Sequence, residues 1–220
     1  MPYRAVFFDL DDTLCDETNA WRVCSAGTAA LAAQRLPALD PAAVTAFFLD
    51  HSDAYWRAMD PISETRPIHA IRTAHWFATL EAFGHPDNAL AEELAHDYGR
   101  RRATELALFP DALPLLTALR AAGKALVLIT NGMQSTHVAR IACLGLEAFF
   151  DHTVISDAVG MAKPDPRLFR HALDLAHCAP HEAAMVGDNP VNDIADAQAA
   201  GIPAPTGGEI RALSELHSRL

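Results

Sequence analysis

The sequence predicts an α/β protein: an open, doubly wound parallel sheet with an α-helical domain inserted after its first strand. Three observations predict it. Four short apolar runs, at 4–9, 124–129, 152–155 and 183–186, do not alternate apolar with polar residues. Strands covered by helices on both faces read that way. Helical patterns separate the last three runs, which is the alternation of a parallel sheet. From 17 to 105 no strand pattern occurs, and Ala- and Leu-rich helical stretches take its place.

Taken in order, Arg4-Ala5-Val6-Phe7-Phe8-Asp9 is the first strand. Helical stretches follow near 17–36, 41–58, 68–83 and 88–105, punctuated by Pro37, Pro41, Pro61, Pro67 and Pro86. Val44, Phe47, Phe48 and His51 fall at helical spacing, and Ile68, Ile71, His75 and Leu80 do so less regularly. Pro110 and Gly123 bracket a helix over 111–122, with Leu113, Leu116 and Leu119 on one face. Lys124–Ile129 is the second strand, followed by a helix whose apolar face is Val138, Ile141 and Leu144. His152–Ile155 is the third strand. Leu168, Ala172 and Leu175 mark the next helix, and Ala183–Val186 is the fourth strand. After Gly201 a fifth strand is poorly supported, because Pro203 and Pro205 cannot donate to a ladder. The expectation is a shortened sheet edge at 202–206, then a closing helix carrying Ile210, Leu213 and Leu216.

Composition narrows the function classes. The 220 residues hold 17 Lys and Arg against 28 Asp and Glu, a formal charge of −11. An acidic chain is a poor partner for a nucleic acid polymer, whose affinity rests on neutralised phosphates. Half the residues are hydrophobic and a fifth charged, so the chain folds rather than remaining disordered. No apolar run reaches the ~18–20 residues that cross a bilayer, so no membrane association is expected. The N-terminus runs straight into a strand with no signal-like segment. Cys15, Cys24, Cys143 and Cys178 form no C-x-x-C pair and are expected to be free thiols in a reducing cytoplasm. His177 and His181 flank Pro180, which breaks any shared helical face.

In open α/β sheets, ligands bind beyond the carboxyl ends of the strands. Polar residues gather there. The first strand leads into Asp9-Leu10-Asp11-Asp12-Thr13, and the second into Thr130-Asn131-Gly132. The third leads through Ser156-Asp157 to Lys163-Pro164, and the fourth into Gly187-Asp188 with Asp193 beyond. Asp157 either pairs with Lys163 or ends its strand. Carboxylates ~4 Å apart repel by about 4 kcal/mol at an effective dielectric near 20. Asp9, Asp11, Asp188 and Asp193 therefore need protons, a cation or basic neighbours. An oxygen-only set suits Mg²⁺. Lys163 and loop N–H groups offer positive potential to an anion. Carboxylate nucleophile, metal and anion cradle together make a phosphoryl-transfer site.

These residues resemble the four signatures of the haloacid dehalogenase-like (HAD) superfamily of hydrolases. Phe7-Phe8-Asp9-Leu10-Asp11-Asp12-Thr13 matches the first, Thr130-Asn131 the second, and Lys163 in Ala162-Lys163-Pro164-Asp165 the third. Gly187-Asp188 with Asp193 matches the fourth. The resemblance implies a Rossmann-like catalytic core over 1–15 and 106–220, with a C1-type helical cap over 16–105. It implies an aspartyl-phosphate formed on Asp9, with Asp11 as acid and then base, and Lys163 neutralising charge. Thr130 and the N–H groups of Leu10, Asp11 and Asn131 would hold phosphate oxygens. Mg²⁺ would be held by Asp9, the Asp11 carbonyl and Asp188, with Asp193 outside or through water. The Thr13 hydroxyl is expected to cap or brace the turn, in support of the chemistry rather than as part of it. The Asp11 side chain argues against the dehalogenase branch.

The implied activity is hydrolysis of a small phosphorylated metabolite by a cytoplasmic monomer or homodimer. The wording of the motifs is similar to pyrimidine 5′-nucleotidases and N-acylneuraminate-9-phosphatases. A sugar phosphomutase shares the fold and is told apart by isomerisation without phosphate release. A non-catalytic metabolite-binding protein is the third reading, and intact Asp9, Asp11, Lys163 and Asp188 stand against it. The cap is expected to carry substrate choice, with most of its aromatic and basic residues serving packing or solvent.

Overall fold

The computed structural model describes residues 3–60, 62–203, 213 and 215. In chain order the elements are β1 (Ala5–Phe8), α1 (Glu17–Arg35), α2 (Pro41–Ala58), α3 (Ile68–Ala82) and α4 (Asn88–Glu105). Then come α5 (Ala112–Ala121), β2 (Ala125–Thr130), α6 (Gln134–Cys143), β3 (His152–Ile155) and α7 (Ser156–Val159). The last are α8 (Pro166–Leu175), β4 (Ala183–Val186), a wide helical turn at Pro190–Ala195, and α9 (Asp196–Ala199). They form two compact units, Met1–Asp16 with Leu108–Leu220, and Glu17–Ala107.

Among the described residues the sheet of the first unit has four parallel strands in the order β3-β2-β1-β4. Phe8 of β1 is level with Leu128 of β2 and Val186 of β4. The chain leaves β1 in one direction for β2 and β3, then returns to the other side for β4. Such a reversal opens a crevice at the strands' carboxyl ends. Ala5, Phe7, Val127, Ile129, Val154, Ala183 and Met185 pack one face against Leu168, Phe169 and Ala172 of α8. Val6, Phe8, Leu126, Leu128, Ala184 and Val186, on alternate positions, are buried as well. Burial of both faces is why the strands show no alternation. Each fully buried Phe or Leu contributes about 1.5–3 kcal/mol.

Two predicted helix faces need correction. In α5 Leu113 is exposed, and Leu115, Leu116 and Leu119 are buried. In α6 Val138 is exposed, and His137 and Ile141 face inward. His137 and Val138 stand about 100° apart around their helix, and Leu113 and Leu115 about 160° apart around theirs, so each sequence offered more than one apolar stripe and only the packing partner selects one. The predicted edge at 202–206 lies largely outside the described residues. Ile202 and Pro203 are in no strand, and the Ile202 N–H bonds Ala197 O at 2.8 Å. The predicted closing helix also lies outside them, apart from Leu213 and Glu215.

Among the described residues the second unit has four helices, α1 to α4. Asp40 caps α2 by accepting from Ala42 N at 3.0 Å, with Pro41 in the first turn. Asp87 caps α4 by accepting from Ala89 N and Leu90 N. Each such cap stabilises its helix by about 1 kcal/mol. Cys24, Val44, Phe48, Trp76, Leu80, Leu94 and Tyr98 form the core, with Phe48 stacked on Trp76 at 4.1 Å between centroids. Thr28 of α1 donates to buried Asp97 of α4 at 2.8 Å, and Arg102 pairs with Glu17. No described helix is long and apolar enough to cross a membrane.

His75 sits inside this unit, 5% exposed, among the rings of Phe48, His51, Tyr55 and Trp56, and neither ring nitrogen has a hydrogen-bond partner among the described residues. Burial, then the nearby positive potential of His51 and Arg66, pushes its pKa down to about 4. The folded protein therefore binds fewer protons than the unfolded chain between about pH 4 and 6.5. The stability contributed by neutral His75 is complete above the unfolded value and is lost as pH falls through that window. On this account stability at pH ~5 is about 2 kcal/mol below that at pH ~7.5 from His75 alone. Urea unfolding at the two pH values checks it: His75→Phe should remove that difference, and an unchanged pH dependence would refute it.

Candidate active site

The loops after the four strands converge because β1 is central. Asp9 follows β1 directly, with its N–H on Val186 O of β4 at 2.9 Å. The residue is only 6% exposed. Asp9 Oδ1 accepts from Lys163 Nζ at 2.6 Å, and Thr13 Oγ1 lies 3.4 Å from Oδ2 as a donor. Thr13 Oγ1 in turn accepts from Asp188 N at 3.0 Å, so it ties the first loop to the fourth. That is the bracing role expected of it.

Lys163 reaches the site from the loop between α7 and α8. Besides Asp9, its Nζ donates to Asp193 Oδ1 at 2.7 Å and to Ile129 O at 3.3 Å. Its backbone is clamped by Asn131, whose Nδ2 donates to Lys163 O at 2.7 Å while its Oδ1 accepts from Lys163 N at 2.8 Å. The Asn131 side chain is thus a brace for the lysine, a contact the sequence did not reveal. Thr130 is buried at the end of β2, and Leu10 is buried next to Asp9. Asp157 accepts from Gln134 N at 2.9 Å, and no bond to Lys163 is formed.

Asp193 is brought in by the wide turn Pro190–Ala195. Asn189 caps it by accepting from Val191 N and Asn192 N, and Ile194 N reaches back to Asn189 O. The widened turn aims Asp193 inward, where Oδ2 accepts from Asn189 N at 3.0 Å. Gly187 makes room: a Cβ there would lie 2.4 Å from the Asp193 carboxylate.

Asp9, Asp188 and Asp193 each offer an oxygen within 4.8 Å of the others. Three carboxylates against one Lys163 leave two negative charges when all are ionised. Burial, and then the Asp193 and Asp11 charges, raise the Asp9 pKa to about 7 against the opposing pull of Lys163. Burial alone would lower Lys163, but flanking Asp9 and Asp193 outweigh it and hold the ammonium charged. Burial, then Asp193 and Asp12, also raise Asp188. The oxygen-only donor set and its unbalanced charge fit a hard divalent cation such as Mg²⁺.

Asp11 is placed differently. Its two carboxylate oxygens accept from Arg140 Nη1 of α6, both at 3.1 Å, and His137 Nε2 stands 3.5 Å from Oδ2. Its side chain is not among the three carboxylates whose oxygens lie within 4.8 Å of one another. Arg140 and His137 were missed by the sequence reading. The available signal was their spacing on the helix just after Thr130-Asn131-Gly132. Gly132 is at φ +153°, and a Cβ there would lie 1.9 Å from the His137 ring, so the glycine admits that histidine.

A family model described as hydrolase, haloacid dehalogenase-like hydrolase, matches residues 3–201. A phosphoserine phosphatase of Thermus thermophilus is 44% identical over 127 residues, 58% of this chain and only 50% of that protein. A glyceraldehyde 3-phosphate phosphatase of Methanothermobacter thermautotrophicus is 33% identical over 91% of this chain and 84% of its own. N-acylneuraminate-9-phosphatase of Rattus norvegicus is 32% identical over 91% and 80%. A magnesium-bound HAD-hydrolase of Bacillus subtilis shares the fold, with a TM-score of 0.76 at 24% identity over 99% of this chain and 98% of that one.

Proposed function

The chain belongs to the haloacid dehalogenase-like hydrolases, in their phosphatase branch, and from that premise we propose that it hydrolyses a small phosphorylated metabolite through an aspartyl-phosphate on Asp9. The observation that carries this reading is the buried Asp9–Lys163–Asp193 array with Asp188 beside it. An Asp9 oxygen attacks phosphorus, the ester oxygen leaves, and a new Asp9 O–P bond replaces the old one. Asp11 gives its proton to the departing alkoxide, then takes one from the water that hydrolyses the acyl phosphate. To do so it must loosen its contact with Arg140.

Lys163 stays charged and faces Asp9, so it opposes the negative charge spread over the transferring phosphoryl oxygens. Thr130 and the N–H groups of Leu10, Asp11 and Asn131 bind the remaining oxygens. Asp9, Asp188 and the Asp11 carbonyl would hold Mg²⁺. Asp193 supports it from outside, because both of its oxygens are already engaged by Lys163 and Asn189 N. When bound, the ion supplies positive charge to nucleophile and phosphoryl group alike. The Glu17–Ala107 unit serves as the cap that selects substrate, as the resemblance implies for 16–105. The substrate class is a sugar-acid, triose, amino-acid or nucleoside monophosphate. The setting is cytoplasmic, as a monomer or homodimer.

The test is phosphate release from a panel of such esters, with kcat/KM measured in Mg²⁺ and in chelator. Metal-dependent release that singles out one class is the expected result. Equal turnover in chelator, or isomerised sugar phosphate without released phosphate, would overturn the reading.

A further inference from the structure

The helical unit carries a second set of ligating side chains that the reaction above does not use. His69 lies in the first turn of α3, and Glu92 and His96 lie one turn apart on α4. Helix residues four apart share a face. His69 Nε2 is 2.6 Å from Glu92 Oε1, and His96 Nε2 is 3.4 Å from the same oxygen. The two imidazole centroids are 4.2 Å apart, and the three ligand atoms lie within 4.8 Å of one another. Thr73 Oγ1 donates to the other carboxylate oxygen, Glu92 Oε2, at 2.9 Å. That bond fixes the carboxylate plane and leaves Oε1 to the histidines, as an outer-shell partner does for a metal ligand.

A simple histidine–carboxylate pair needs one imidazole, whereas here two converge on one oxygen. We propose that His69, Glu92 and His96 form a site for one divalent transition-metal ion of the zinc class, which clips α3 to α4. Two imidazoles and one carboxylate are a common zinc set, with the fourth position left to water. Imidazole also separates this site chemically from the oxygen-only cluster around Asp9, which suits Mg²⁺. Around a tetrahedral ion the ligand atoms stand roughly 3.3 Å apart. The His96–Glu92 separation already matches, and His69 needs to draw back by less than about 1 Å. The side chains are 37%, 48% and 63% exposed for His69, Glu92 and His96, so an ion can enter from solvent.

The experiment is calorimetric titration of Zn²⁺ into the full chain in excess Mg²⁺, which competes for the Asp9 cluster. We expect one equivalent bound in the micromolar range or tighter, a rise in Tm, and visible absorption bands when Co²⁺ replaces Zn²⁺. In His96→Gln and in the double variant His69→Gln with His96→Gln, affinity should fall at least tenfold and the Tm rise should disappear. Circular dichroism checks that these surface variants fold, and their Mg²⁺-supported activity should be unchanged. Equal Zn²⁺ affinity in wild type and double variant overturns the proposal. So does Zn²⁺ binding that only Asp188→Asn removes.

Discussion

Asp9→Asn should lower phosphate release at least about 10³-fold while the protein stays folded. Asparagine has nearly the shape of aspartate, so packing around the 6% exposed position is kept. Its neutral amide cannot form the acyl phosphate, and one of the Lys163 ammonium's two carboxylate partners becomes neutral. Removing one buried carboxylate from a group with excess negative charge should leave stability unchanged or raise it. The loss should therefore fall on kcat and not on folding. In the wild type, acid quenching during turnover should trap a phosphoryl group on the peptide containing Asp9, and the variant should trap none. Turnover within tenfold of wild type would remove Asp9 as the nucleophile.

Lys163→Met should be costly in two separable ways. Methionine fills similar space but makes none of the three bonds of Nζ, to Asp9, Asp193 and Ile129 O. Breaking a buried ion pair from one side destabilises by about 3–5 kcal/mol, because the remaining charge is left without compensation. Here two buried carboxylates are left facing one another. In chelator, denaturant unfolding should show a loss of that size. Added Mg²⁺ should return part of it, since a divalent cation is the other positive charge these carboxylates can share. Activity in Mg²⁺ should still fall about 10²–10³-fold, the usual effect of losing one preorganised charge at a transferring group. Unchanged stability in chelator would mean that Lys163 does not carry the charge balance of this site.

What could be read from the sequence alone was whatever depends on local chemistry. Phe7-Phe8 before Asp9-Leu10-Asp11 marks a buried strand ending in acids. The unalternating strands reported a sheet covered on both faces, and Pro41 after Asp40 marked a helix start. Those signals depend on neighbours in the chain. That Asp9, Lys163 and Asp193 gather at one sheet edge followed from the strands they come after, although they are far apart in sequence; which of them bond to one another did not.

Tertiary structure alone decided the rest. It chose Leu115 over Leu113 and His137 over Val138 as buried residues, because an adjacent stripe is as good until a partner surface covers one of them. It gave Asp11 to Arg140, Asn131 to the Lys163 backbone, and the His69 ring to Glu92 across two helices. Periodicity gives each element one buried face, but hydrogen bonds and ion pairs between distant segments exist only once packing has fixed both ends. That is why the strands and acidic loops were legible in advance, and the partners that orient them were not.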